Sequence, residues 1–174
     1  QIDTRELTRH IREKGSMMGI LSTETHDESE LLKQLKACPN IVGQDMVQYV
    51  TSRSTVAWKE SADQTWYLDT FPAVGKKTFH VVAFDFGMKH NIPRLMTALG
   101  IEVSVVSAKT APEAVKELNP DGIFLSNGPG DPEGVPYAIE TIKALIGYKP
   151  MFGICLGHQL MGLAMGATSY KLKF

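Results

Sequence analysis

From Phe79 to the end of the chain, short apolar runs alternate with segments of helical period, and no other feature constrains the fold as strongly. FHVVAFD (79–85), IEVSVVS (101–107), GIFLS (122–126) and PMFGI (150–154) read as strands. Asn91 to Leu99, closed by Gly100, a short helix with the T-x-x-E pair Thr110 and Glu113 as capping box, Pro136 to Ile146, and Leu156 to Met165 read as the helices around them. TSYKLK at the end reads as a further strand. Near-continuous apolar strands separated by helices call for a parallel sheet buried on both faces. The units are too few for a barrel, so the expected class is α/β, an open, mostly parallel sheet with flanking helices. Ligands of such sheets sit beyond the carboxyl ends of the strands. The loops 127–135 and 153–157 both fall there.

The first 75 residues follow a different pattern and are expected to be part of a smaller α+β domain, with residues 76–174 forming the α/β domain. Asp3 to Lys14 reads as a helix with Asp3 as N-cap, Glu6 as its capping partner and Gly15 as terminator. MMGIL (17–21) is a strand candidate, and Thr25 or Asp27 caps a second helix through Lys36 with Leu31, Leu32 and Leu35 as its buried stripe. Gln44 to Leu68 is less regular, with possible short strands near Trp58 and Trp66. FPAVGKK (71–77), which has Pro and Gly but no apolar periodicity, is the expected linker.

Composition excludes several classes. A hydrophobic content of 43% over 174 residues suffices for a sizeable core. A net charge of −1 with interspersed signs gives no general attraction for nucleic acid or an anionic membrane. No apolar run approaches the roughly 18 residues of a membrane span, and QIDTREL is no secretory leader, so the expected location is cytoplasmic. The two cysteines, Cys38 and Cys155, are too few for a disulfide framework and lack zinc-ligand spacing, so both are expected as free thiols with no metal.

Cys155 lies in Gly153-Ile154-Cys155-Leu156-Gly157, which fits the G-x-nucleophile-x-G elbow: a sharp strand-to-helix turn that projects its central side chain above the sheet. A helix N-terminus favours thiolate, and the N–H of Leu156 follows the nucleophile where an oxyanion would develop. The pentapeptide alone also fits a small buried hydrophobe at a βα turn. The loop SNGPGDPEG (126–134) adds Gly128 and Gly130 directly after a strand, where backbone N–H groups can approach a carbonyl or carboxylate unobstructed. Alone, it fits a turn that starts the next helix. Two such loops on consecutive strand ends favour a site.

SNGPGDP together with GICLGHQ resembles the class I glutamine amidotransferases, in which a cysteine attacks the side-chain amide of glutamine and releases ammonia. IDTRELTRHIREKGSMMGIL, FHVVAFDFGMKHNIPRLM and GATSYKLKF extend the resemblance over nearly the whole chain to the small, glutamine-hydrolysing subunits of carbamoyl-phosphate synthase. The resemblance implies Cys155 as the nucleophile that forms a glutamyl thioester, Gly128 and Leu156 as oxyanion donors, and Gly128, Gly130, Leu156 and Gln159 as glutamine contacts. It implies L-glutamine as substrate and a large synthetase subunit as partner, in a heterodimer or higher oligomer. Ammonia would be channelled to that subunit to make carbamoyl phosphate for arginine synthesis, pyrimidine synthesis or both. It also implies no cofactor on this chain, with ATP and Mg on the partner; the absence of a GxxxxGK[ST] phosphate loop agrees.

The family's activating histidine and its supporting glutamate lie downstream of the residues given, so the piece is expected to be impaired, and the uncovered sheet to favour aggregation. His158, three positions after Cys155, is expected to point away from the elbow. Asp85-Phe86-Gly87 is a strand-end turn and no kinase motif, since no HRD accompanies it. Arg5, Arg9 and Arg12 form a solvated face diluted by Glu6 and Glu13, Cys38 is structural, and Met161 with Met165 forms a core stripe. Two alternatives stay open: another amidotransferase or elbow-cysteine hydrolase, and a non-catalytic interaction module.

Overall fold

The structure is a computed structural model that describes residues 2–63 and 78–173. The expected linker 71–77 and Trp66 lie outside the described residues. The chain forms two compact units, Gln1–Ile41 with Tyr170–Phe174, and Val42–Ser169.

In the first unit, α1 (Thr4–Lys14) starts where the Asp3 carboxylate accepts from the N–H groups of Arg5 (3.0 Å) and Glu6 (2.9 Å). It ends at Gly15, whose φ of +96° few other residues adopt. Helix α2 (Glu28–Ala37) is capped by Asp27, which accepts from Ser29 and Glu30. Neither helix buries a residue. The expected leucine stripe of α2 is therefore not a core: Leu31 and Leu35 are half-buried and Leu32 is 53% exposed. An apolar stripe is buried only where another element packs on it. MMGIL and TSYKLK are not strands either. Ser16 N–H donates to Lys173 O (2.9 Å), but strand propensity yields a strand only when a ladder and a covered face accompany it. Cys38, expected as structural, is an exposed thiol at the end of α2. Arg5, Arg9 and Arg12 are exposed, as expected of a solvated face.

The second unit is built on a five-stranded sheet of order β1-β3-β2-β4-β5, in which β1 is Val56–Trp58, β2 His80–Asp85, β3 Glu102–Ser107, β4 Gly122–Leu125 and β5 Met151–Gly153. Central β2 pairs in parallel with β3 and β4, and β5 in parallel with β4. Strand β1 closes the other edge antiparallel to β3. That edge strand has only three residues, too few for its sheet membership to be legible as a periodic run. Among the described residues its α-helices are α3 (Asn91–Ala98), α4 (Pro112–Glu117), α5 (Pro136–Leu145) and α6 (Leu156–Ala164).

Strand alternation divides the core between two faces. Val82, Phe84, Ile123 and Leu125 point to one, where they pack with Val115 of α4, Ile142 and Leu145 of α5 and Leu160 of α6. Ala83, Val103, Val105 and Phe124 point to the other, packed by Ile92 and Met96 of α3 and by Trp58. Two expected details differ. The capping box at Thr110 does not form, because Pro112 takes the first helical position of α4 and makes Ala111 the cap, without a side-chain bond. The Met161 and Met165 stripe is half real: Met161 packs on the core, whereas Met165 ends α6 and is 71% exposed. Residues 44–63 of the stretch read as less regular hold only a short 3-10 turn at Val47–Tyr49 and the expected short strand near Trp58, and they pack in this unit with Val47 in its core.

Replacing fully buried Leu160 by Ala is expected to cost about 2–5 kcal/mol in a urea titration, whereas Leu32→Ala costs less than about 1 kcal/mol because little surface is buried there.

Candidate active site

Both loops singled out in the sequence lie at the carboxyl ends of adjacent strands, β4 and β5. Ladder hydrogen bonding continues past β5: Ile154 N–H donates to Leu125 O (3.0 Å). The backbone then turns at Cys155, with φ +51° and ψ −114°, and α6 begins at Leu156. A non-glycine residue held there costs on the order of 1–3 kcal/mol, which the surrounding contacts must offset. Those contacts are specific. Gly157 N–H donates to Ser126 O (3.0 Å), and Gln159 N–H returns to Cys155 O (3.0 Å). A β-carbon on Gly157 would overlap the Leu125 carbonyl oxygen, and one on Gly153 would lie 2.6 Å from the Gly157 carbonyl carbon. Glycine at both positions is thus a requirement of the turn. The Cys155 thiol is exposed at its apex; His158 and Gln159 are exposed in the first turn of α6, and Leu156 is buried beneath.

The loop after β4 is fixed by its own side chains. Buried Ser126 accepts from Phe86 N–H (2.9 Å) through Oγ and donates to Asn127 O (2.8 Å). Asn127 spans to the β2 loop, accepting from Lys89 N–H (3.0 Å) and donating to Gly87 O (3.0 Å). Asp131, only 3% exposed, accepts from Glu133 N–H (3.1 Å) and from Gly43 N–H (2.9 Å). Between them Gly128 is wedged against both neighbours: a β-carbon there would overlap Phe86 O and approach Leu156 Cδ2 to 2.7 Å. Gly128 and Leu156 are therefore brought together, and Gly130 follows at φ +90°. Asp85-Phe86-Gly87 is a strand-end turn, with Asp85 Oδ1 accepting from Gly87 (2.9 Å) and Met88 (2.8 Å).

Ser126, Asn127 and Asp131 were not singled out by sequence reasoning, although polar residues between a buried strand and two glycines are a usable signal for a hydrogen-bonded loop. Residues 43–52, which also reach this loop, gave no signal. Among the described residues no group of three or more His, Cys, Asp or Glu could hold a metal ion, and no helix is long and apolar enough to cross a membrane. The strained turn yields a direct expectation: Cys155→Gly is more stable than Cys155→Ala by about 1 kcal/mol in thermal melts, because glycine alone relieves the positive φ.

The class-I glutamine amidotransferase family model matches residues 82–174, which contain most of β2, the elements from α3 to α6 and both loops. The chain is 48% identical over 175 residues to the carbamoyl phosphate synthase small chain of Syntrophotalea carbinolica, covering 99% of this chain and 46% of that protein. It is 49% identical to the protein of the same name from Nostoc sp., covering 45% of it, and 45% identical to the chloroplastic small chain of Oryza sativa subsp. japonica, covering 38% of it. The chain thus spans less than half the length of these relatives. With more than half of its residues matched to the family model, the chain belongs to the class-I glutamine amidotransferases.

Proposed function

We propose that the protein is the glutaminase subunit of a carbamoyl-phosphate synthase, in which Cys155 opens the side-chain amide of L-glutamine. The observation that carries this reading is the strained, exposed Cys155 at the head of α6, with Gly128 and Leu156 held against each other beside it. The Cys155 thiolate attacks the amide carbon, and the carbonyl electron pair moves onto oxygen. Backbone N–H groups of Gly128 and Leu156 receive that oxyanion, a type of donor whose removal costs about 3–4 kcal/mol of barrier in other enzymes. Collapse of the tetrahedral species breaks the C–N bond, ammonia leaves with one added proton, and a glutamyl thioester remains on sulfur. Water then adds to the thioester, releasing glutamate and restoring the thiol. Gly128, Gly130, Leu156 and Gln159 hold the substrate through these steps.

The proton taken from the thiol and returned to ammonia requires a base. In this reading it is the histidine and supporting glutamate that the family resemblance places downstream of Phe174. Ammonia passes to a large synthetase subunit, where bicarbonate and ATP with Mg complete carbamoyl phosphate; this chain carries no cofactor of its own. Residues 1–75 belong to the small-subunit N-terminal domain and contribute to docking, 76–174 begin the amidotransferase domain, and the assembly is cytoplasmic.

The test is peptide mapping after exposure of the full-length protein to a diazo-ketone analogue of glutamine. Labelling confined to Cys155, suppressed by excess glutamine and absent in Cys155→Ala, is the expected result. Labelling of Cys38 instead, or labelling that glutamine leaves unchanged, contradicts the reading.

A further inference from the structure

Residues 43–52 run across the loops that follow β2, β3 and β4, and touch each of them. Gly43 N–H donates to the buried Asp131 carboxylate (2.9 Å), and a β-carbon on Gly134 would overlap Gln44 O. Asp45 accepts from the Tyr137 hydroxyl (3.1 Å) on α5; burial first, and the Asp45 charge second, hold that phenol protonated far above its ordinary range. Met46 fills the side of Gly130 that a β-carbon would occupy, its Cγ 3.0 Å from that position. Val47 is fully buried in the core cluster that contains Phe86, Val135 and Leu156. Val50 and Pro129 both abut Gly87, within 2.9 and 3.0 Å of its missing β-carbon. Thr51 Oγ donates to Asp85 O (2.7 Å) and accepts from Ala108 N–H (2.8 Å), and Ser52 N–H donates to Asp85 Oδ2 (2.9 Å).

The 126–134 loop is therefore held on two sides. Ser126 and Asn127 tie it to the β2 loop, and the 43–52 segment packs on Gly130 and binds Asp131. A glycine-rich loop has many backbone conformations to lose, and each donor it offers a ligand must already point the right way. We propose that residues 43–52 form a strap that fixes the 126–134 loop in its ligand-binding conformation, with Met46 and Asp131 as positioning residues for the glutamine amide and α-substituents. This rests on the glutaminase reading for the identity of the ligand, though not for the hold of the strap on the loop. The strap lies outside residues 82–174, so the matched family region does not include it.

In the full-length protein, Met46→Ala is expected to slow labelling of Cys155 by the diazo-ketone analogue about tenfold, and to weaken protection by glutamine by a similar factor. Alkylation of Cys155 by iodoacetamide, which needs only an exposed thiol, stays within about twofold of wild type, and amide hydrogen exchange across 127–134 accelerates. Met46→Leu, which restores the bulk against Gly130, returns all three readouts to wild type. Asp131→Asn, which cannot accept from Gly43 and Glu133 at once, moves them as Met46→Ala does. Unchanged exchange and labelling in both Met46→Ala and Asp131→Asn overturn the proposal, as does a parallel fall of labelling and alkylation. If the wild type shows no glutamine-protected labelling, the glutaminase reading fails, and the exchange rates in the two variants still decide whether the strap fixes the loop.

Discussion

Gly157 lets the first turn of α6 press against the end of β4, and the rest of the site depends on that approach. Its N–H binds Ser126 O, and the space a side chain would need is occupied by the Leu125 carbonyl. With α6 drawn in so closely, the chain leaving β5 has only Ile154 and Cys155 in which to reverse direction, and Ile154 is still bonded to β4. Cys155 therefore takes a positive φ and its thiol stands exposed at the apex. Leu156, drawn beneath, meets Gly128 from the neighbouring loop. One close contact between backbone segments thus sets the exposure of the Cys155 thiol and seats the Leu156 side chain against Gly128.

The strain at Cys155 persists because the packing beneath it is stiff. Leu156 and Leu160 enter the core with Phe84, Leu125 and Ile142, so the α6 turn cannot relax without disturbing both the sheet and α5. The neighbouring loop is tied instead by polar groups. Ser126 and Asp131 are buried and hydrogen-bonded, which makes loss of either partner costly. A rigid apolar base under a hydrogen-bonded glycine loop suits a site that must present backbone donors without reorganising when charge develops.

How far the sequence revealed this depended on the range of the interactions. Strands β2 to β5 and the elbow were legible because their signals are local: apolar runs, glycine spacing, and a cysteine between them. The close-packed glycines Gly128, Gly153 and Gly157 were legible for the same reason, and the Leu156 side chain packs against Gly128. A short strand near Trp58 was legible, but its place at the sheet edge beside β3 and the role of the 43–52 segment were not, because they come from pairings made across 33 residues or more, such as Ser52 with Asp85 and Gly43 with Asp131. The α2 stripe, MMGIL and TSYKLK failed in the opposite sense. Their periodicity is real, but neither a covering face nor a ladder accompanies it among the described residues, and periodicity without a partner does not bury or pair a segment.

The central claim is that Cys155 carries the acyl group of glutamine during turnover. Rapid mixing of the full-length protein with glutamine, followed by acid quenching and intact-mass measurement, tests it most directly. The account predicts a transient adduct on Cys155 heavier than the free enzyme by glutamine less ammonia, labile to hydroxylamine and absent in Cys155→Ser. Glutamate formed without any such adduct, or an adduct on another residue, would contradict it.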